Sequence, residues 1–261
     1  MASLYYQAPR FSLRFIPVWQ RNFLVWRKLA FTSIVGNIAE PLITLVAFGY
    51  GLGSLLQHID GVPYIAYLAS GAICMSVMMA TTFEALYSAF SRMHVQKTWD
   101  ALLNTPLDLD DIVLAEMLWA ASKSLISGIA ILAVLLALGI GWYPGALLVP
   151  PLLFLVGITF ASLALAINAL AKGYDFFTYY FTLVLTPMIF LSGVYYPVTQ
   201  LPGWLQVIAG YLPLSAAVHL VRPLLLGQTP EPVLQPLLLL LAYCVAGFYL
   251  ATVLTRRRLL K

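Results

Sequence analysis

The chain has 261 residues, 62% of them hydrophobic and 9% charged, with a mean hydropathy of +0.91. A water-soluble domain carries about 25% charged residues, so this composition excludes a soluble enzyme or binding module and calls for an apolar surround. The net charge of +4 does not point to nucleic acid, because the basic residues are not gathered with exposed aromatics into one patch.

The first element is PRFSLRFIPVWQRNFLVWRK, residues 9–28. The first apolar run arrives too late, and without a small-residue cleavage site, for a secretory signal. Arg14, Arg21 and Lys28 recur every seven residues on one helical face while Phe11, Phe15, Val18 and Trp19 turn elsewhere. That pattern predicts an amphipathic helix lying in the headgroup layer, with Pro17 bending or starting it.

Crossing the ~30 Å hydrocarbon core takes about 20 helical residues. Six apolar runs approach or exceed that length, at 31–55, 64–90, 112–138, 145–171, 176–194 and 233–254. Their continuity predicts helices rather than the alternating strands of a barrel. Gly49 and Gly53 form a G-x-x-x-G, read either as a close helix approach or as ordinary packing in a glycine-rich run. Cys74 and Cys244 sit inside apolar runs and read as buried thiols.

Of the 14 basic residues, all but Lys123 and Arg222 fall before the first run, between the second and third, after the fourth, or in the C-terminal tail. The connections QHIDGVP and GIGWYPG contain none. This asymmetry predicts a multi-pass protein with cytoplasmic N- and C-termini.

Between the second and third runs lies KTWDALLNTPLDLDD, residues 97–111. Thr98 can cap a short helix over 98–104, Trp99, Leu102 and Leu103 share one face, and Pro106 stops it. Asp108 and Asp111 have capping-box spacing for the third span. Flanked by Lys97 and Asp100, the apolar knob suits either a groove in another protein or the headgroup layer.

Ionisable residues inside the runs are functional candidates by default, because an unpaired charge at membrane depth is costly. Glu40, before Pro41, lies ~15 Å into the first run at 1.5 Å per residue, and reads as interface hydrogen bonding between copies or as part of a path. Glu84 falls at a depth between Glu116 and Lys123. A Glu84–Lys123 pair locking two helices, a polar substrate path and noncontacting groups all remain open.

Residues 191–227 are too apolar for an aqueous loop, yet Pro197, Pro202, Pro213 and Pro223 forbid one continuous helix. The reading is two short helices re-entering the outer leaflet, with the re-entrant region over 195–227. Tyr195, Tyr196, Trp204 and Tyr211, with His219 and Arg222 one turn apart, form an aromatic interface belt or a site for a sugar or anionic headgroup. His58, His94 and His219 are too scattered for a metal site.

Nothing matches the phosphate-cradling pattern G-x-x-x-x-G-K-[ST]; the pair Lys123-Ser124 lacks the glycines. No internal repeat stands out, against many secondary-carrier plans. A proton-coupled carrier using Glu40 and Glu84 stays open as a second reading. A membrane enzyme acting on lipid-linked sugars lacks a cluster of catalytic carboxylates or histidines.

The segments IVGNIAEPLITLVAFGYGLG (34–53), TTFEALYSAFSRM (81–93), TWDALLNTPLDLDDIVLAEMLWAASKS (98–124) and LTPMIFLSGVYYPVTQLPGWLQVIAGYLPLSAAVHLVRPLLLG (185–227) resemble, in order and spacing, the permease subunits of type-2 ABC exporters. The similarity is to the NodJ-like branch, named for rhizobial lipo-chitooligosaccharide export, and runs from about residue 15 to the closing RRRLL. It implies a single permease domain, residues 1–261, in an all-α integral membrane fold with six transmembrane helices, working as a homodimer in the bacterial inner membrane. It also implies that Thr98, Trp99, Asp100, Leu102 and Leu103 form a coupling helix seated on a separate ABC ATPase, present in two copies and carrying ATP and Mg2+. The chain itself would bind no cofactor and no nucleic acid. The implied cargo is amphipathic: a lipid-linked saccharide, a lipo-oligosaccharide or a hydrophobic drug.

Overall fold

The computed structural model describes residues 6–56, 58–59 and 61–259, so Lys261, used in the charge asymmetry, lies outside the described residues. Helices dominate. The described strands, His58–Ile59 and Val62–Pro63, pair as a small antiparallel hairpin whose turn includes Gly61 at φ 78°.

Helix α1 (Phe15–Arg27) carries Pro17 in its first turn, where the missing N–H needs no partner. Its basic stripe does not simply face outward. Arg14 donates to the Pro106 carbonyl at 2.9 Å and Arg21 to Thr98 Oγ1 at 3.4 Å, while Val18 and Asn22 are buried. Trp19, Phe23 and Trp26 gather round Trp119 with ring centroids 5.9–6.4 Å apart. The helix is docked on the bundle, and Leu24 and Val25 form its exposed apolar flank, with Leu13 exposed just before it.

Helix α2 (Ala30–Gly51) crosses Pro41 without breaking and buries only Pro41 and Leu45. The G-x-x-x-G turns toward its own chain: a Cβ on Gly49 would meet Ile65 at 3.1 Å, and Gly53 lies beyond the helix end. Helix α3 runs from Tyr64 to Val95, longer than the 64–90 run because turns Glu84–Ser88 and Ser91–Val95 widen to π geometry and carry it onward. Only residues 96–108, holding helix α4 (Thr98–Leu103), then separate it from α5 (Leu109–Ala137). The Asp108–Asp111 capping box starts α5 as predicted, with the Asp108 N–H donating to Asp111 at 3.1 Å.

A 3-10 turn, Pro144–Leu148, leads into α6 (Val149–Leu170). Helix α7 (Asp175–Leu191) corresponds to the predicted span 176–194 but stops short. At 1.5 Å per residue it reaches about 25 Å, less than the hydrocarbon thickness. Helices α8 (Gly203–Gly210) and α9 (Pro213–Leu225) meet at an 83° bend, giving the two short helices that the prolines predicted. The last helix is α10 (Leu234–Leu259). Five described helices are long and apolar enough to cross a membrane, or six if the bent pair counts as one span.

The core runs through α3, α5, α6 and α10, with α6 packed on both α5 and α10. Gly157 lets α6 approach α5: an added Cβ would lie 3.1 Å from Ala121 Cα. One end of the bundle collects most of the cations and is called the basic end here. There Arg256 of α10 pairs with Asp110 at the start of α5, Asp110 also accepts from the Arg10 N–H at 2.9 Å, and Ser12 donates to Asp111 at 2.6 Å. The two chain ends are thereby tied to the same turn. Cys74 is buried and Cys244 half-buried, both free thiols.

At the far end, Gly71 of α3 touches the loop after α7, and an added Cβ would sit 2.9 Å from Val194 Cα. Because backbone cannot move as a flexible side chain does, Gly71→Val should lower stability by about 1–3 kcal/mol, measured as thermal unfolding of the detergent-solubilised protein.

Candidate coupling site beneath helix α4

Four charged side chains meet inside the basic half of the bundle. Glu84 of α3 accepts from Lys123 Nζ at 2.7 Å, Arg92 Nη2 at 3.0 Å, Trp119 Nε1 at 2.9 Å and Ser88 Oγ at 3.0 Å. Glu116 of α5 accepts from Arg92 Nε at 2.9 Å and Trp99 Nε1 at 3.3 Å. The carboxylates are 4% and 1% exposed, so their charge is tolerable only because cations and indole N–H groups surround them.

The widened turns of α3 make this geometry. In a regular helix, residues eight apart point about 80° away from one another. The π turns hold more residues per turn and bring Glu84 and Arg92 to one side, facing α5. Such turns displace backbone carbonyls, and Asn168 of α6 answers them: its Nδ2 donates to Ala85 O at 2.8 Å and Leu86 O at 3.1 Å.

Helix α4 differs from the expected docking knob. Trp99 is 2% exposed and turned into its own bundle, with Leu102 and Leu103 half-buried against the same core. The shared face was read correctly, but the chain itself covers it, because the indole N–H finds Glu116 there. Nor does Thr98 cap the helix: it is the first helical residue, and Lys97 stands at the cap in the left-handed region, φ 50°. Lys97, Asp100, Ala101 and Asn104 face outward.

Among the other candidates, Glu40 stands on the exposed side of α2. Burial and then the charge of Glu40 push the Tyr195 phenol up from its ordinary range. Tyr195 packs against Phe48 and Phe190. His219 and Arg222 diverge. His219 is exposed, whereas Arg222 lies 3.6 Å over the Tyr67 ring and donates to Gly193 O at 2.7 Å and Ser70 Oγ at 3.0 Å. Both line a far-end cleft of about 300 Å3 together with Gln206 and Ser215, but Tyr195, Tyr196 and Trp204 do not. Trp204 and Tyr211 are exposed instead.

Of the readings the sequence left open for Glu84 and Lys123, the structure shows the ion pair. Arg92, expected in a connection, joins it, and Trp119, Ser88 and Asn168 were not singled out by the sequence. The eight-residue offset from Glu84 to Arg92 was visible; a regular helical period hid its meaning. Among the described residues, no group of three His, Cys, Asp or Glu side chains is placed to hold a metal.

Apolar helices of spanning length, with charges buried beneath a short connecting helix, define a helical integral membrane protein. Residues 14–226 match the ABC-2 type transporter family, and the chain belongs to it. It is similar to Nodulation protein J of Rhizobium leguminosarum bv. trifolii, 47% identical over 253 residues and 97% of each chain. Nodulation protein J of Rhizobium meliloti (strain 1021) is 44% identical over 261 residues and 100% of each chain. The Inner membrane transport permease YadH of Escherichia coli (strain K12) is 24% identical over 233 residues, 89% of this chain and 90% of that one. The chain is thus a multi-pass ABC transporter permease subunit, the membrane component rather than the ATPase.

Arg92 holds two carboxylates and Lys123 only one. Arg92→Met should therefore cost about 3–5 kcal/mol of stability and Lys123→Met clearly less, since Glu84 then keeps its pair with Arg92. Glu84→Gln combined with Lys123→Met should be milder than the two single effects added, as read from thermal unfolding in detergent.

Proposed function

We propose that this permease exports an amphipathic substrate, a lipid-linked saccharide, lipo-oligosaccharide or hydrophobic drug, using ATP hydrolysed on two copies of a separate ABC ATPase. It works as a homodimer in the bacterial inner membrane with both termini in the cytoplasm. The observation that carries this reading is the unbroken series from Trp99 through Glu116, Arg92 and Glu84 to Lys123, which leads from the connecting helix into two spans. A push on α4 is delivered to α3 and α5 through groups whose separation is costly.

In this reading α4 is the coupling helix, and it meets the ATPase through Lys97, Asp100, Ala101 and Asn104 rather than through Trp99. Movement of α4 against the ATPase rocks α3 and α5 and opens a path between α2, α3 and α7 of two copies. The exposed apolar faces of α2 and α7, including Phe31, Ile43, Tyr179 and Leu183, suit a second copy, and Glu40 lies on that side of α2. Helix α1 lies along the cytoplasmic interface, while α8 and α9 re-enter the outer leaflet with Trp204 and Tyr211 at headgroup level. A proton-coupled carrier is less well supported, because Glu84 would have to give up two cations and two further donors to cycle a proton.

Asp100→Arg with Asn104→Arg should reduce copurification of the ATPase by about tenfold, whereas Trp99→Phe should leave assembly intact and lower substrate-stimulated ATP turnover. Undiminished assembly in the double arginine variant counts against docking through α4. In inverted vesicles, uptake should require both ATP and the ATPase; uptake driven by a proton gradient alone would favour the carrier.

A further inference from the structure

A second cavity, of about 190 Å3, opens between α1 and the basic halves of α3 and α5. Arg21, Asn22, Trp26, Glu84, Arg92 and Lys123 are among its lining residues. Three of these are cations and one is a carboxylate, while the other nearby acid, Glu116, is turned to Arg92 and Trp99. Burial and then the neighbouring Arg92 push the Arg21 guanidinium below its ordinary pKa range, outweighing the opposing pull of Glu116.

Two donors in this wall have no acceptor among the described residues: Asn22 Nδ2 and Trp26 Nε1. Asn22 is 4% exposed, and its Oδ1 accepts from Arg21 Nη1 at 3.3 Å, which fixes the amide orientation and leaves the NH2 as the orphan. A buried donor without an acceptor is costly, so the site is built to be filled. Both orphans donate, and Arg21 and Lys123 beside them can only donate. The missing partner is therefore an acceptor with negative charge.

The volume exceeds that of one water, ~30 Å3 in the liquid, and has room for a tetrahedral oxyanion with an ester arm. Its surroundings indicate where the arm leads. Helix α1 immediately precedes the first span, and its exposed Leu24 and Val25, followed by Leu29, offer a flank along which acyl chains can lie.

We propose that this cavity binds the phosphate of an anionic lipid headgroup, with Arg21, Asn22 and Trp26 of α1 and Lys123 of α5 as its donors. The bound lipid clamps α1 to α5 beside the charge network, making the membrane's anionic lipid a structural ligand of the permease. This assignment stands on the cavity alone and does not require ATP coupling.

The full-length protein, delipidated in detergent and given equal amounts of phosphatidylglycerol and phosphatidylcholine, should retain the anionic lipid about tenfold more in native mass spectrometry. Arg21→Gln with Trp26→Phe should bring the two lipids close to equal retention. Trp26→Phe alone, which keeps the ring packed on Trp119, should lower the preference by about threefold and serves if the double variant does not fold. Displacement of the lipid by inorganic phosphate would support the same donors while assigning the site to a soluble phosphate. Equal retention of the two lipids by the wild-type protein, or an unchanged preference in folded Trp26→Phe, overturns the proposal.

Discussion

Arg92 stands between Glu84 and Glu116 where α3, α4 and α5 meet, and the cost of leaving any of these charges alone in an apolar interior governs the arrangement around them. A single guanidinium satisfies two carboxylates because its planar fork offers donors in several directions. Lys123, a point charge on a flexible stem, takes the remaining oxygen of Glu84. The indoles of Trp99 and Trp119 then supply directed N–H groups without adding charge. Each ring also presents an apolar body to the core, which explains how so polar a cluster fits within so apolar a bundle.

The local backbone follows from that cluster. The π turns near the end of α3 align Glu84 and Arg92, and the carbonyls they disturb are held by Asn168 from a third helix. Helix α4 is seated by the same logic, its Trp99 inserted where Glu116 has room for another donor. Helix α1 closes the site from outside, with three aromatic side chains about Trp119. Helix α4 therefore rests on groups already constrained by several helices.

The far end is organised around Arg222 and the backbone and side-chain groups it meets. Arg222 gathers the carbonyl of Gly193 and the hydroxyl of Ser70 while stacking on Tyr67, so α9, α3 and the loop after α7 share one cation. The bend between α8 and α9 leaves a cleft beside it, lined by His219, Gln206 and Ser215. Compact in one place and cleft in the next, this end contrasts with the basic end, where the pairs about Arg92 and Glu84 stiffen the bundle.

The sequence by itself determined the helical membrane class, most spanning helices, the short helix over 98–104, the capping box at Asp108 and Asp111, and the broken pair near Pro202 and Pro213. These depend on hydrophobic runs, prolines and cap residues, which act within a few positions of one another. It also placed Glu84 at a depth between Glu116 and Lys123, since depth along a helix is a matter of counting. Only the tertiary structure decided that Trp99 turns inward, that Arg92 bridges two acids, that Asp110 receives Arg256 from the other end of the chain, and that Arg222 and His219 part company. A periodic pattern marks which residues share a face but not what covers it, and a charge finds its partner across helices whose relative placement no local spacing records.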